Sequence, residues 1–110
     1  MSITIEVRSN KLPLLTIQAR ERAAAAVTKA AYDIEGQAKI VVPVDTGNLK
    51  NSIQTEAGDS DLTKFVGPHT DYAIYVEYGT YKMRAQPYMR PAAERVAPGF
   101  VAAMRKIAET

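Results

Sequence analysis

Residues 12–43, LPLLTIQARERAAAAVTKAAYDIEGQAKIVVP, form the stretch that decides the fold. Apolar residues recur in it at spacings of three and four, which predicts one continuous stripe along a helix. The members of this stripe are Leu15, Ala19, Ala23, Val27, Ala30, Ile34, Ala38 and Val41. Runs of alanine raise the helix propensity, and Pro43 ends the helix because it disfavours helical geometry at the residue before it.

A helix of about 28 residues would be about 42 Å long at 1.5 Å per residue. That length exceeds the diameter of a compact domain of this size, whose radius of gyration is about 13 Å. We therefore expect that part of the stripe packs against something outside the domain, or that the helix breaks.

Three shorter stretches, residues 3–8, 52–56 and 62–67, alternate apolar with polar residues. Such alternation, rich in β-branched residues, is typical of half-buried strands. Polar turn residues 57–61 lie between the second and third stretches, so these two are expected to form a hairpin.

The C-terminal half predicts two further helices. Residues 72–78 fit either a strand or a short helix, and we prefer a helix that Gly79 ends with a positive φ. A last helix follows with Pro91 in its first turn, and Pro98-Gly99 is expected to kink or break it. The elements predict an α+β fold, with one long N-terminal helix and a C-terminal helix packed on a small, mainly antiparallel β-sheet. The 110 residues are expected to form a single domain, residues 1–110.

The composition excludes several kinds of site. The chain has no cysteine and one histidine, which excludes disulfides, thiolate nucleophiles and multi-histidine metal clusters. No apolar run approaches the roughly 20 residues that span a bilayer, so no membrane partner is expected. The N-terminus also lacks the pattern of a secretory signal.

The net charge of +2 is unevenly distributed. Residues 82–110 carry six basic and two acidic side chains, whereas residues 1–81 carry eight basic and ten acidic. This asymmetry indicates an acidic partner or a nucleic acid at the C-terminal end, or simply a solvated basic helix face.

Two candidate catalytic groups are weak. Asp45-Thr46-Gly47 matches the tripeptide of aspartic proteases, but a long helical pattern ends two residues before it, where those enzymes have an all-β body. A capping Asp and Thr with a turn Gly explains it better. His69 with Asp71 could be a base and its orienting group, but no nucleophile motif accompanies them. No catalytic, cofactor-binding or metal-binding residue is therefore expected.

Five of the six tyrosines lie between Tyr72 and Tyr88. Tyrosine and arginine are enriched at protein–protein interfaces, and they also stack on bases and neutralise phosphates. We prefer the protein interface and retain a nucleic-acid-binding module as the alternative. The interface candidates are Tyr72, Tyr75, Glu77, Tyr78, Tyr81, Lys82, Arg84 and Arg90.

Three motifs follow one another along the chain. They are VPVDTGNLKNSI at residues 42–53, YAIYVEYGT at residues 72–80 after Val66-Gly67, and QPYMRPA at residues 86–92. In order and spacing they resemble the P-x-D-T-G-x-L-x-x-S, V-G…Y-A-x-Y-V-E-x-G-T and Q-P-x-(M/L)-R-P-A segments of a small bacteriophage family. Its members join head and tail in long-tailed phages, and are also described as neck, tail-completion or minor tail components.

The resemblance implies a virion structural protein of the neck or tail, without enzymatic activity or cofactor, present in the host cytoplasm during assembly. It implies a homo-oligomeric ring, a hexamer or alternatively a dodecamer. The other implied partners are head-completion or connector proteins and tail-tube or tail-terminator proteins, and nonspecific contact with DNA in the channel is compatible with it. Glu77 would either pair with a basic residue of a neighbouring subunit or cap a turn in its own. The expected turn and fold determinants are Pro43, Asp45, Thr46, Gly47, Gly79, Pro87 and Pro91.

Overall fold

The computed structural model describes residues 3–6, 17–42 and 47–108, and it confirms the α+β fold. In chain order the elements are β1 (Ile3–Glu6), α1 (Ile17–Val41), α2 (Gly47–Ser52), β2 (Gln54–Ala57), β3 (Thr63–Gly67), α3 (Ala73–Tyr78) and α4 (Met89–Ala108). Residues 7 and 8 of the first predicted strand, Leu15 of the predicted stripe, and the determinants Pro43, Asp45 and Thr46 lie outside the described residues.

The sheet has three antiparallel strands in the order β1-β3-β2. β2 and β3 form the predicted hairpin, with Thr55 opposite Val66. Its turn is closed by the Gly58 N–H, which donates to the Thr63 carbonyl at 2.9 Å. Val66 is fully buried because β3 is the central strand and α1 packs on this face of the sheet.

Helix α1 buries its alanine-rich face against the sheet and α4. Five members of the predicted stripe, Ala23, Val27, Ala30, Ile34 and Ala38, are buried. The last member is wrong, since Val41 is 41% exposed and Val42 is buried instead. Val42 follows the last residue of α1 and belongs to the same core cluster as Leu49 and Ile53, so the path of the chain after the helix, and not the helical period, buries it.

The molecule is elongated, with extents of 51 × 23 × 20 Å and a radius of gyration of 15.6 Å. The 25 residues of α1 account for about 38 Å of the long dimension. None of the helices in the described part of the chain is long and apolar enough to cross a membrane.

Helix α4 packs against α1 and runs without a break through Pro98. Of the two expected outcomes, a kink or a break, the break is therefore wrong. Proline removes one backbone donor, but Val96 and Phe100 on either side of it pack against the core and hold both halves in place.

Candidate functional site

Large apolar side chains lie exposed along residues 72–84, which we call the aromatic surface. Its members are Tyr72, Ile74, Tyr75, Tyr78, Tyr81 and Met83. Helix α3 creates the first part of this surface, because Ala73, Val76 and Glu77 face the core and the residues between them face outward. Tyr78 is 66% exposed and Tyr81 is 93% exposed, far beyond what a folded core needs.

The loop after α3 is held in one conformation. Gly79 has a φ of 78°, and its N–H donates to the Tyr75 carbonyl at 2.7 Å. A Cβ at Gly79 would lie 2.7 Å from the Ala85 nitrogen and 2.8 Å from the Met83 oxygen, so the position requires glycine. The Thr80 N–H donates to the Met83 carbonyl at 2.8 Å, which completes a tight turn and fixes where Tyr81 projects.

Glu77 ties α3 to the start of α4. Its side chain is 3% exposed, and Oε1 accepts the N–H groups of Tyr88 and Met89 at 3.1 and 2.9 Å. Oε2 accepts the N–H of Arg90 at 3.3 Å. The first four N–H groups of a helix, counted from the residue before it, lack partners within it. Counted from Tyr88, the fourth residue here is Pro91, which has no N–H. One carboxylate therefore satisfies all the free donors of the first turn, and its negative charge suits the positive end of the helix dipole.

Tyr88 reinforces this connection. It is fully buried, and its hydroxyl donates to the Ala73 carbonyl at 3.1 Å. Burial raises the pKa of the Tyr88 phenol above its usual range, and the nearby Glu77 carboxylate raises it further. The Gln86 N–H also donates to the Val76 carbonyl at 2.8 Å. The aromatic surface is thus attached to a rigid base.

Seven of the eight interface candidates are exposed: Tyr72, Tyr75, Tyr78, Tyr81, Lys82, Arg84 and Arg90. Glu77 is the exception, and the structure gives it the second of the two expected roles, a cap within its own subunit. Lys82 lies 5.5 Å from the centroid of the Tyr81 ring, a cation–π distance, and Arg90 donates to Glu94 at 3.1 Å.

The four fold determinants among the described residues lie at or near helix ends. Gly79 ends α3, Pro91 lies in the first turn of α4, and Gly47 is the first residue of α2. Pro87 directly precedes the residue that begins the capped turn of α4. Sequence reasoning missed Ile74 and Met83 as exposed members of the aromatic surface, although their position within the tyrosine-rich segment could have indicated them.

A second apolar surface, an open groove of about 510 Å³, lies between α1 and α4. We call it the α1–α4 groove. It is lined by apolar residues that include Ala30, Val96 and Phe100, with Tyr32 and Ile40 exposed along it. The sequence predicted an uncovered part of the long helix but not a groove, because a groove depends on the second helix.

The ring nitrogens of the catalytic candidate His69 bond to Ser52 and Glu56 and not to Asp71. Its Nδ1 lies 2.9 Å from the Ser52 carbonyl oxygen, and its Nε2 lies 2.5 Å from Glu56 Oε1. Both neighbours are acceptors, so the doubly protonated ring satisfies both, and the pKa of His69 is raised by the Ser52 carbonyl first and Glu56 second. The residues described contain no group of three acidic, histidine or cysteine side chains that could hold a metal ion.

Comparison with known proteins supplies the family. Residues 3–79 match the model of the HK97-gp10-like family, whose description reads "Bacteriophage HK97-gp10, putative tail-component". No curated protein and no solved structure matches the chain. The matched range covers more than half of the chain and includes the long helix, the sheet and α3, and it stops before residues 86–92. The protein therefore belongs to the HK97-gp10-like family of bacteriophage tail components.

Proposed function

We propose that this protein is a structural component of the phage head–tail junction, where copies of the chain form a ring between the head and the tail. It performs no catalysis in this role. Its neighbours are head-completion or connector proteins on one side and tail-tube or tail-terminator proteins on the other. It assembles in the host cytoplasm and remains in the neck of the virion.

The observation that carries this proposal is the aromatic surface. A ring subunit needs apolar patches that stay ordered before assembly, because ordering a flexible segment on binding lowers the affinity. The Glu77 cap and the Gly79 turn hold this surface in one conformation. Tyrosine, methionine and arginine, the residue types it presents, are enriched at protein interfaces.

The elongated shape supports the same proposal. The molecule is 51 Å long and only 20 Å thick, so much of its surface lies close to a neighbour in any wall of parallel copies. A heterologous contact, in which two unlike patches meet, generates a closed ring when the rotation between copies closes. A hexamer is the stoichiometry that we propose.

Phage particles that lack this chain provide the test. We expect filled heads and finished tails that stay separate in electron micrographs, and we expect added purified protein to restore joined, infectious particles. Purified chain in which Tyr78 and Tyr81 are alanine should fail to restore them, whereas an Ile17→Ala chain, which changes an exposed residue outside the aromatic surface, should succeed. Joined virions in the absence of the chain would refute the proposal.

The alternative is a nucleic-acid-binding module. It is favoured by Lys82 and Arg84, which are exposed beside exposed tyrosines and could contact phosphates while the rings stack on bases. Binding of this kind falls steeply with salt because counterions are released. Titration of the purified chain with DNA at low salt separates the two functions, and the absence of binding would exclude the alternative.

A further inference from the structure

The α1–α4 groove contains two glycines that nothing inside the chain explains. Gly36 lies in the interior of α1 and Gly99 in the interior of α4, and both line the groove. Neither has a positive φ, and a Cβ at either would meet no heavy atom within 4 Å. Glycine inside a helix costs about 0.5–1 kcal/mol relative to alanine. The two positions therefore carry that cost without a conformational or packing reason within the subunit, and their effect is to keep the groove open.

The chemistry of the groove suits an aromatic occupant. Its apolar lining offers contact to ring faces, and Arg95 lies along it together with Lys29, whose ammonium is paired with Asp33 at 2.7 Å. Arg95 donates to Gln37 across the two helices at 3.1 Å, which holds its planar guanidinium at the groove. Aromatic rings stack well on guanidinium groups and attract ammonium groups.

The aromatic surface of a second copy has the size that such a contact needs. Its four tyrosines are between 40% and 93% exposed. At 150–250 Å² for each fully buried ring, docking would bury roughly 400–600 Å² from the tyrosines alone. A stable interface takes about 800 Å² from each partner, so Ile74, Met83 and the stems of the basic residues are enough to supply the remainder.

We propose that the aromatic surface of one copy docks into the α1–α4 groove of the next copy, head to tail. This inference rests on the proposed ring and names the two surfaces that build it. Because the two surfaces are unlike, the contact does not end at a dimer: every open assembly keeps a free groove on one terminal copy and a free aromatic surface on the other, until the ring closes. Tyr78, Tyr81 and Met83 are the docking residues on one side, and Gly36, Gly99 and Phe100 form the receiving groove on the other.

The absence of cysteine makes crosslinking a direct test. We place one cysteine beside the aromatic surface, Lys82→Cys, and one in the groove, Lys29→Cys, and treat the chain with a short bismaleimide. The control pair replaces the groove position with an exposed lysine on α2, Lys82→Cys with Lys50→Cys. Docked thiols face each other at an effective concentration of order 1 mM, so at about 0.1 mM protein the first pair should crosslink about tenfold faster than the control.

The products distinguish the geometry. The Lys82→Cys, Lys29→Cys chain should give a ladder of covalent multimers, and a crosslink within one chain does not contribute to it. A mixture of the two single variants should give dimers and nothing larger, because only one contact in each pair carries both thiols. A double variant whose ladder stops at the dimer would overturn the head-to-tail contact, as would a rate equal to that of the control pair.

A second test fills the groove with a larger side chain. Gly36→Leu should abolish the ladder without lowering the melting temperature, because the added side chain enters open space. Ala25→Leu, which adds the same side chain at an exposed position of α1 outside the groove lining, should leave the ladder intact. Gly99→Leu repeats the test from α4. A ladder that survives both groove variants would overturn the proposal.

The outcomes also separate this inference from the proposed function. Rings detected by mass, together with head–tail joining but without the Lys82–Lys29 crosslink, would overturn the docking and leave the junction role intact. A ladder from a chain that does not restore joined virions would support the docking and overturn the junction role.

Discussion

The two faces of α3 differ in what they do for the protein. The inner face carries Ala73, Val76 and Glu77, all buried, and is bonded to the start of α4. The outer face carries Tyr75 and Tyr78, which are 53% and 66% exposed. The inner face contributes to the free energy of folding, whereas the outer face leaves apolar area in water that only a partner can cover.

Two tyrosines show the same contrast between a buried and an exposed side chain. Tyr88 is fully buried with its hydroxyl bonded to Ala73, while Tyr81, seven residues earlier, is 93% exposed. Clustering of tyrosines in the sequence therefore mixes two roles. The local backbone separates them: Tyr88 begins the capped turn of α4, and Tyr81 lies in a loop that Gly79 and Thr80 turn away from the core.

Among the changes to α3 and the loop after it, removal of the Glu77 carboxylate should lower the stability most. Glu77→Ala leaves the buried N–H groups of Tyr88, Met89 and Arg90 without acceptors, and we expect a loss of about 3 kcal/mol in the free energy of unfolding. Glu77→Gln keeps one acceptor oxygen and should lose about half as much. Urea denaturation of the three chains measures this. Equal stability of Glu77→Ala and wild type would mean that the cap does not connect the two elements.

Gly79→Ala should cause the next largest loss of stability in this part of the molecule. The φ of 78° with a ψ of 177° is a region that essentially only glycine occupies, and the new Cβ would collide with the backbone at Ala85 and Met83. We expect a loss of about 2 kcal/mol and a displaced aromatic surface, because strain of this kind costs about 1–3 kcal/mol. Gly47→Ala, where a Cβ has open space, is the matched control and should change the stability little. Comparable losses in both variants would contradict the requirement for glycine at position 79.

The long helix, the hairpin, the α+β class and the helical character of residues 73–78 were predictable from the sequence. Each depends on a period of 3.6 or 2 sustained over several residues, which burial on one side enforces. The prediction failed where the outcome depends on a neighbour in space. Val41 and Val42 are equally apolar, but Val42 lies just after α1, where it belongs to the core cluster with Leu49 and Ile53. Pro98 has the same local effect in any helix, but here packing on α1 overrides it.

The candidate site shows the same limit. The sequence indicated the aromatic surface, because exposed tyrosines beside Lys82 and Arg84 have few other uses. The sequence left open whether Glu77 pairs with a neighbouring subunit or caps a turn in its own. The Met89 N–H that its carboxylate accepts lies twelve residues away in the chain, and only the tertiary structure brings the two together. The sequence did not indicate the α1–α4 groove, because Gly36 and Gly99 are 63 positions apart in the chain and become neighbours only when the helices pack.

The exposure of His69 is intermediate between the buried inner face of α3 and the most exposed tyrosines. Its ring and the Glu56 carboxylate are 48% and 55% exposed. The pKa of His69 is raised above 6.5 in the folded protein by its bonds to the Ser52 carbonyl and the Glu56 carboxylate. These bonds therefore stabilise the fold below pH 6.5, and their contribution disappears as the pH rises through the raised pKa. We expect stability to decrease slightly as the pH rises above 6.5, by less than in either variant above, because exposed pairs contribute little. His69→Gln should remove this pH dependence in thermal unfolding, and an unchanged slope would assign it to other groups.

The smallest effect on stability belongs to the outer face. Tyr81→Ala should change the free energy of unfolding by no more than about 0.5 kcal/mol, since a side chain that is 93% exposed has little to lose on folding. Tyr78→Ala should behave in the same way, and Tyr88→Ala, at a buried tyrosine outside α3, is the matched control, with an expected loss of about 3–5 kcal/mol. The order should invert for assembly: the folded Tyr78→Ala and Tyr81→Ala chains should lose association in sedimentation while they keep their melting temperature. If they lose stability and association in equal measure, the outer face belongs to the folding core and the distinction between the two faces of α3 fails.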